Sequence, residues 1–185
     1  MEKAAILVDE LNAMEQLHEM GIEGFKRWSV FYRTIESILA HEYGSVEVSQ
    51  RMYSACPSRQ LDMEQYYRRM RFFNALEKDG IAVRQGNMGT RNGELYQKGV
   101  DMLIGLDLYE FSLNCVPLLF LFSSDGDFLP AIKKAQEKGS RVIAFVSDFR
   151  PASSIREAAD EVISLEDFLA LLPEGEIIYR NSDVA

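Results

Sequence analysis

The sequence predicts an α/β fold: a three-layer sandwich with helices on both faces of a central parallel sheet. Short apolar runs alternate with amphipathic stretches along almost the whole chain, the order expected of repeated strand–helix units. The most apolar run, VPLLFLFSS (116–124), shows no polar alternation, as a strand covered on both faces should not. Two of the runs, AAILVD (4–9) and the one leading to Asp125, end in a carboxylate.

Taken in order, 4–9 reads as the first strand. A polar stretch with Gly21 and Gly24 follows, and then a helix from Phe25 to His41, with Phe25, Trp28, Phe31, Ile35, Ile38 and Leu39 at helical spacing and Gly44 to close it. Residues 45–55 alternate around Val46, Val48, Met52 and Tyr53 as a second strand, broken by Pro57 and Ser58. A second amphipathic helix spans 61–80, with Met63, Tyr66, Tyr67, Met70, Phe73 and Leu76 inward and Gly80 at its end. IAVRQ (81–85) is the third strand, and the glycine-rich 86–97 reads as a surface loop. A helix over 98–113, the fourth strand over 116–124 and a helix over 128–138 ended by Gly139 come next. RVIAFV (141–146) is the fifth strand; a short helix (153–160), a short strand (161–165) and a last helix (165–172) complete the fold. One domain over 1–172 and a loose polar tail over 173–185 are expected, since 185 residues suffice for one sizeable core.

Composition narrows the class. A net charge of −9 argues against a protein that coats nucleic acid by charge alone. Cys56 and Cys115 form no framework, and with His18 and His41 they lack the spacing of a zinc site. Glu2, Lys3 and a short apolar start do not read as a signal peptide, and the longest uncharged run, 111–124, is too short to span a bilayer. The expectation is a cytoplasmic protein with no membrane partner.

In parallel sheets, function gathers at the carboxyl ends of strands, where strand order reverses. If the first and fourth strands are neighbours there, Asp9 and Asp125 meet. Asp127 begins the next helix, as a cap or as a further ligand. Asp101 sits near the start of a helix aimed at the same rim, whereas Asp107, six residues on, faces elsewhere. Clustered carboxylates repel one another, and a divalent cation relieves that. Mg²⁺ takes one or two of them and keeps waters for phosphates, an arrangement suited to phosphodiester hydrolysis. Asn12, just past Asp9, is placed to hold a carboxylate or reach a phosphate.

ILVDELN, KGVDMLIGLDL, FLFSSDGDFLPAIKKAQEKGSRVIAF and SSIREAADEVISLEDF, four blocks in order over nearly the whole chain, resemble the NYN domain, the LabA-like branch of the PIN-like nuclease superfamily. The resemblance implies a PIN-like sheet of strand order 3-2-1-4-5 and a ribonuclease dependent on Mg²⁺ or Mn²⁺. By position it implies Asp9, Asp101, Asp125 and Asp127 as catalytic and metal-binding aspartates, with Asn12 and Asp107 matching further family positions. Glu10 stands where a glycine is common, and either crowds a phosphate or points away.

The substrate would be RNA, single-stranded, with a homodimer left open. Residues 51–100 hold nine basic residues against five acidic ones. Among them Lys98, immediately before the Asp101 block, and Arg51 are the expected phosphate contacts, with Arg59 and Arg84 as further candidates. Ser123 is expected to orient the phosphate or bound waters, and Tyr53 and Tyr96 are candidates for stacking on bases. Arg68, Arg69 and Arg71 read rather as the solvated face of an amphipathic helix. A binding module that keeps the shell with little catalysis is the alternative. A Mg²⁺ phosphatase or receiver-like phosphotransfer protein would need a lysine beyond the sheet and an aspartyl nucleophile, and the sequence shows no matching arrangement.

Overall fold

The computed structural model describes residues 2–91, 94–150 and 154–180. Strand β1 (Glu2–Asp9) is followed by α1 (Glu10–Glu19), β2 (Ile22–Phe25), α2 (Ser29–Tyr43), β3 (Val46–Cys56), α3 (Met63–Lys78), β4 (Ala82–Arg91), β5 (Glu94–Lys98) and α4 (Val100–Leu113). Then come β6 (Leu118–Phe122), a 3₁₀ turn (Gly126–Phe128), α5 (Leu129–Glu137), β7 (Arg141–Val146), α6 (Ser154–Ala158), β8 (Glu161–Ser164), α7 (Leu165–Leu169) and β9 (Ile177–Tyr179).

The main sheet has seven strands in the order β5-β4-β3-β1-β6-β7-β8. All neighbours are parallel except β4 and β5. The expected order 3-2-1-4-5 therefore lies inside a wider sheet, which gains antiparallel β5 at one edge and β8 at the other. β1 is hydrogen-bonded on both sides, Val8 lying opposite Met52 of β3 and Phe122 of β6.

The period of two along a strand explains the unalternating apolar runs. Ala4, Ile6 and Val8 face one core with α1, α2, α3 and α7, while Ala5 and Leu7 face a second core with α4, α5 and α6. Fully buried Phe31 anchors α2 in the first core, its ring 5.0–5.2 Å from those of Phe122, Phe145 and Phe168. Burial of one such side chain stabilises by about 1.5–3 kcal/mol.

Several local expectations are corrected. The polar stretch after Asp9 is a helix, α1, followed by β2, and Phe25 belongs to that strand rather than to the helix that begins at Ser29. The glycine-rich 86–97 is no loose loop: the described part continues β4 and returns as β5. The loop signal came from Gly86 and Gly89, which serve close packing instead. A Cβ at Gly86 would lie 2.7–2.8 Å from Val100 Cγ2 and the Lys98 carbonyl oxygen. Gly99, at φ 84°, turns the chain from β5 into α4. The segment expected to be a loose tail contributes β9, which pairs with β2. Residues 181–185 of that tail lie outside the described residues.

The contact between Gly86 and the Lys98–Val100 turn sets where α4, and with it Asp101, begins. Gly86→Ala is expected to destabilise the protein by about 1–3 kcal/mol through overpacking against backbone, read as a lower urea midpoint with an unchanged slope.

Candidate active site

Four of the sequence-selected acids gather at the carboxyl edge of the sheet. Asp9 ends β1 with only 5% of its surface exposed. It caps α1, accepting from the Asn12 N–H at 3.3 Å, and accepts from the Ser123 hydroxyl at 3.2 Å. Asp125 follows β6. It accepts from the Asp127 N–H at 3.0 Å, so Asp125, rather than Asp127, caps the 3₁₀ turn. Asp101 lies in the first turn of α4. Asp9, Asn12, Asp101 and Asp125 line one cleft of about 250 Å³ together with Leu11, Glu15 and Gln97. Asp127 is exposed beside this cleft and acts on Asp101 through its charge.

The charges are mutually unfavourable. Burial, above all, pushes the Asp9 carboxyl up from 3.8 to about 7, and Asp101 and Asp125 push the same way against the Asn12 and Ser123 hydrogen bonds. Asp101 is likewise raised, by partial desolvation and then by Asp125 and Asp127. A hard divalent cation fits this donor set: carboxylate oxygens only, with excess negative charge. The side chains do not yet close on one point, since among the described residues no three His, Cys, Asp or Glu side chains stand together as a ready metal-binding group.

Asn12 is held by more than its own turn. Its Oδ1 accepts from the Ser124 N–H (2.8 Å), the Ser124 hydroxyl (3.1 Å) and Gln16 Nε2 (3.0 Å), and Gln16 Oε1 accepts from the Ser147 N–H at 2.7 Å. This relay ties the ends of β6 and β7 to α1 and leaves the Asn12 amide N–H₂ as the donor available to the cleft. Gln16 escaped the sequence reading because 10–24 was not read as helix. On a helix, Asn12 and Gln16 at i, i+4 share a face. Gln97 escaped with the supposed loop.

Two expected substrate contacts are otherwise engaged. Ser123 is fully buried; its hydroxyl donates to Asp9 and accepts from the Asp125 N–H at 3.2 Å. With both bonds made and no exposed surface, it links the two aspartates rather than lining the cleft. Arg51 points along β3 into the second core, 2.5 Å from Asp107 and 4.2 Å above the Phe111 ring. Asp107, 1% exposed, also accepts from Tyr53 (2.7 Å) and from Arg84 in a two-pronged contact (3.1 and 3.2 Å). Arg51, Arg84 and Tyr53 thus gather on buried Asp107, the two arginines remaining partly exposed, and brace α4 on β3 and β4; Tyr53, fully buried, stacks on no base. Lys98 is exposed at the end of β5, Tyr96 is 43% exposed, and Arg59 lies over Tyr66 and Tyr67. Glu10 turns away from the acids, engaging both terminal nitrogens of Arg69 and the Ser54 hydroxyl.

A larger groove of about 530 Å³ lies elsewhere, along α2. The carboxylate lining it, Glu176, is paired with Arg27 at 3.7 Å, so the acidic cleft is the better site for cation chemistry. Among the described residues no helix is long and apolar enough to cross a membrane.

Two stability measurements test this arrangement. The folded state holds the Asp9 proton more tightly than the unfolded chain, so it binds more protons between about pH 4 and pH 7, and stability falls as pH rises through that window. The penalty above pH 7 is roughly 4 kcal/mol. Asp9→Asn should flatten the slope and raise the metal-free melting temperature at pH 8. Asp107→Ala, by contrast, removes the shared acceptor of Arg51, Arg84 and the buried Tyr53 hydroxyl, and, with both guanidinium groups partly open to water, should cost about 1–3 kcal/mol in a urea titration.

Comparison with known proteins bears on the fold and the family. None of the curated proteins matches the chain. A protein of unknown function from Vibrio parahaemolyticus has a crystal structure that superposes with a TM-score of 0.64 at 20% identity, covering 90% of this chain and 94% of that one, a likeness of fold. A C-S lyase from Staphylococcus hominis matches with a TM-score of only 0.27 at 12% identity, over 92% of this chain and 53% of that one, and carries no argument. The sequence pattern of the NYN domain matches residues 3–166, and the chain therefore belongs to the NYN domain family, within the PIN-like nuclease superfamily.

Proposed function

We propose that this chain is a ribonuclease that hydrolyses phosphodiester bonds of single-stranded RNA with the help of Mg²⁺ or Mn²⁺. The observation that carries the reading is the buried Asp9 carboxylate lining one cleft with Asp101 and Asp125, whose like charges repel one another. Such repulsion is costly in a fold that gains nothing from it, and a cation turns it into binding energy. Asp9, Asp101 and Asp125 would hold the ion, with Asp127 adding charge. When bound, the ion supplies a Lewis acid that makes water a nucleophile near neutral pH and offsets charge on the leaving oxygen.

The chain's own groups do the rest. Ser123 fixes the Asp9 and Asp125 carboxylates. The Asn12 amide, its oxygen already engaged, presents N–H₂ to a non-bridging phosphate oxygen. Lys98, exposed at the rim strand, supplies positive charge to the incoming backbone, which the net charge of −9 does not. Glu10, bound to Arg69, leaves the phosphate path clear.

A second reading, a binding module with little catalysis, is favoured by one observation: no ready-made group of three ligands is formed among the described residues. Both readings meet in one experiment. Purified protein is incubated with single-stranded and structured RNAs and Mn²⁺, with and without chelator, beside Asp9→Asn and Asp125→Asn. The expected outcome is chelator-sensitive cleavage of the single strands that falls on the order of a hundredfold or more in each variant, with Mn²⁺ raising the melting temperature of the unsubstituted protein only. Undiminished cleavage by both variants would refute the assignment. Binding of RNA without cleavage would select the second reading.

A further inference from the structure

The acidic cleft has a neighbour. Leu11 and Gln97 border it on one side and border a second hollow of about 250 Å³ on the other, between α1, α3 and the β4–β5 hairpin. Leu11 is 49% exposed, and Met14 and Met88 continue the apolar wall. The opposite wall is polar: Gln65 and Arg69, one turn apart on α3. The Arg69 guanidinium is positioned by Glu10 and by Ser54. Two polar atoms of this wall, Gln65 Oε1 and Arg69 Nε, are enclosed without a hydrogen-bond partner, which folded proteins rarely tolerate.

We infer that this hollow is a nucleobase subsite, receiving the base of a nucleotide beside the phosphate seated at the aspartates. The inference rests on the ribonuclease reading for the position of that phosphate. A base has apolar faces and an edge of mixed donors and acceptors. Leucine and methionine suit the faces, the thioethers being favourable partners for aromatic rings. The amides of Gln65 and Gln97 carry both donor and acceptor and can match an edge. A sugar–phosphate chain has no group for the apolar wall. A duplex keeps its base edges paired, so the hollow also accounts for a preference for single strands. Glu10 thereby gains a role: it orients Arg69 at the subsite wall.

The test uses the full chain and single-stranded RNA oligomers, intact or with one abasic ribose at successive positions. Cleavage is followed with Mn²⁺, and binding is followed by fluorescence anisotropy on Asp9→Asn, which leaves the hollow intact. At one position the abasic ribose should raise KM, and the dissociation constant, roughly tenfold with kcat little changed. Gln65→Ala combined with Met88→Ala, its fold checked by circular dichroism, should show the same rise on intact RNA and no further loss on abasic RNA. Equal handling of intact and abasic RNA, or a double variant that still discriminates, overturns the subsite while cleavage upholds the nuclease. Base-dependent binding without cleavage upholds the subsite and overturns hydrolysis. Neither binding nor cleavage overturns both.

Discussion

Everything at the acidic edge depends on β1 being paired on both sides, with β3 on one flank and β6 on the other. A central parallel strand must be apolar on both faces, because helices cover both, and β1 keeps to this from Ala4 to Val8. Asp9 is the first residue at which the rule lapses, and it does so where the strand runs out of the sheet. β6 lapses in the same way one step further along the edge, at Ser123. Because the register sets Val8 against Phe122, the two lapses fall side by side, and the Ser123 hydroxyl reaches Asp9. From this point the chain leaves β1 through α1 toward one core, while α4 approaches from the other. The gap between them is the cleft.

Two buried aspartates on the same face of the sheet show how opposite environments divide labour. Asp107 is surrounded by Arg51, Arg84 and the Tyr53 hydroxyl, so its charge is matched and it holds α4 in place. Asp9, nearly as buried, has a hydroxyl and a backbone N–H but no cation, and faces two further carboxylates. A matched buried charge is scaffold. An unmatched one at the open end of a sheet is a place for a ligand of opposite charge. Basic residues of the 51–100 segment divide similarly: Arg51 and Arg84 serve Asp107, Arg69 serves Glu10, and Lys98 remains toward solvent.

Much of this was legible in the residues. Unalternating apolar runs marked strands buried on both faces, and the carboxylates that ended them marked one edge of the sheet, where Asp9, Asn12, Asp101 and Asp125 line a single cleft. What was misread shares a cause. The 86–97 segment is rich in glycine, and glycine signals both turns and close packing; only the approach of Val100 and Lys98 to Gly86 decides between them. The segment after Asp9 is polar because α1 has a narrow buried face, Ala13, Gln16 and Leu17, too few apolar positions to announce a helix. Arg51 and Ser123 were expected at the substrate because they are polar and near strand ends, which says nothing about which core they face.

The sequence by itself determined the α/β alternation, the strands buried on both faces and the identity of the acids that end them, because burial periodicity and strand termini are local properties of the chain. Tertiary structure alone decided which distant polar side chains serve one another: Asp107 with Arg51 and Arg84, Glu10 with Arg69, Asn12 with Ser124. Those pairings join residues as far as 112 positions apart. They follow from the side on which each helix crosses the sheet and the register in which strands meet, neither of which any short stretch of residues encodes.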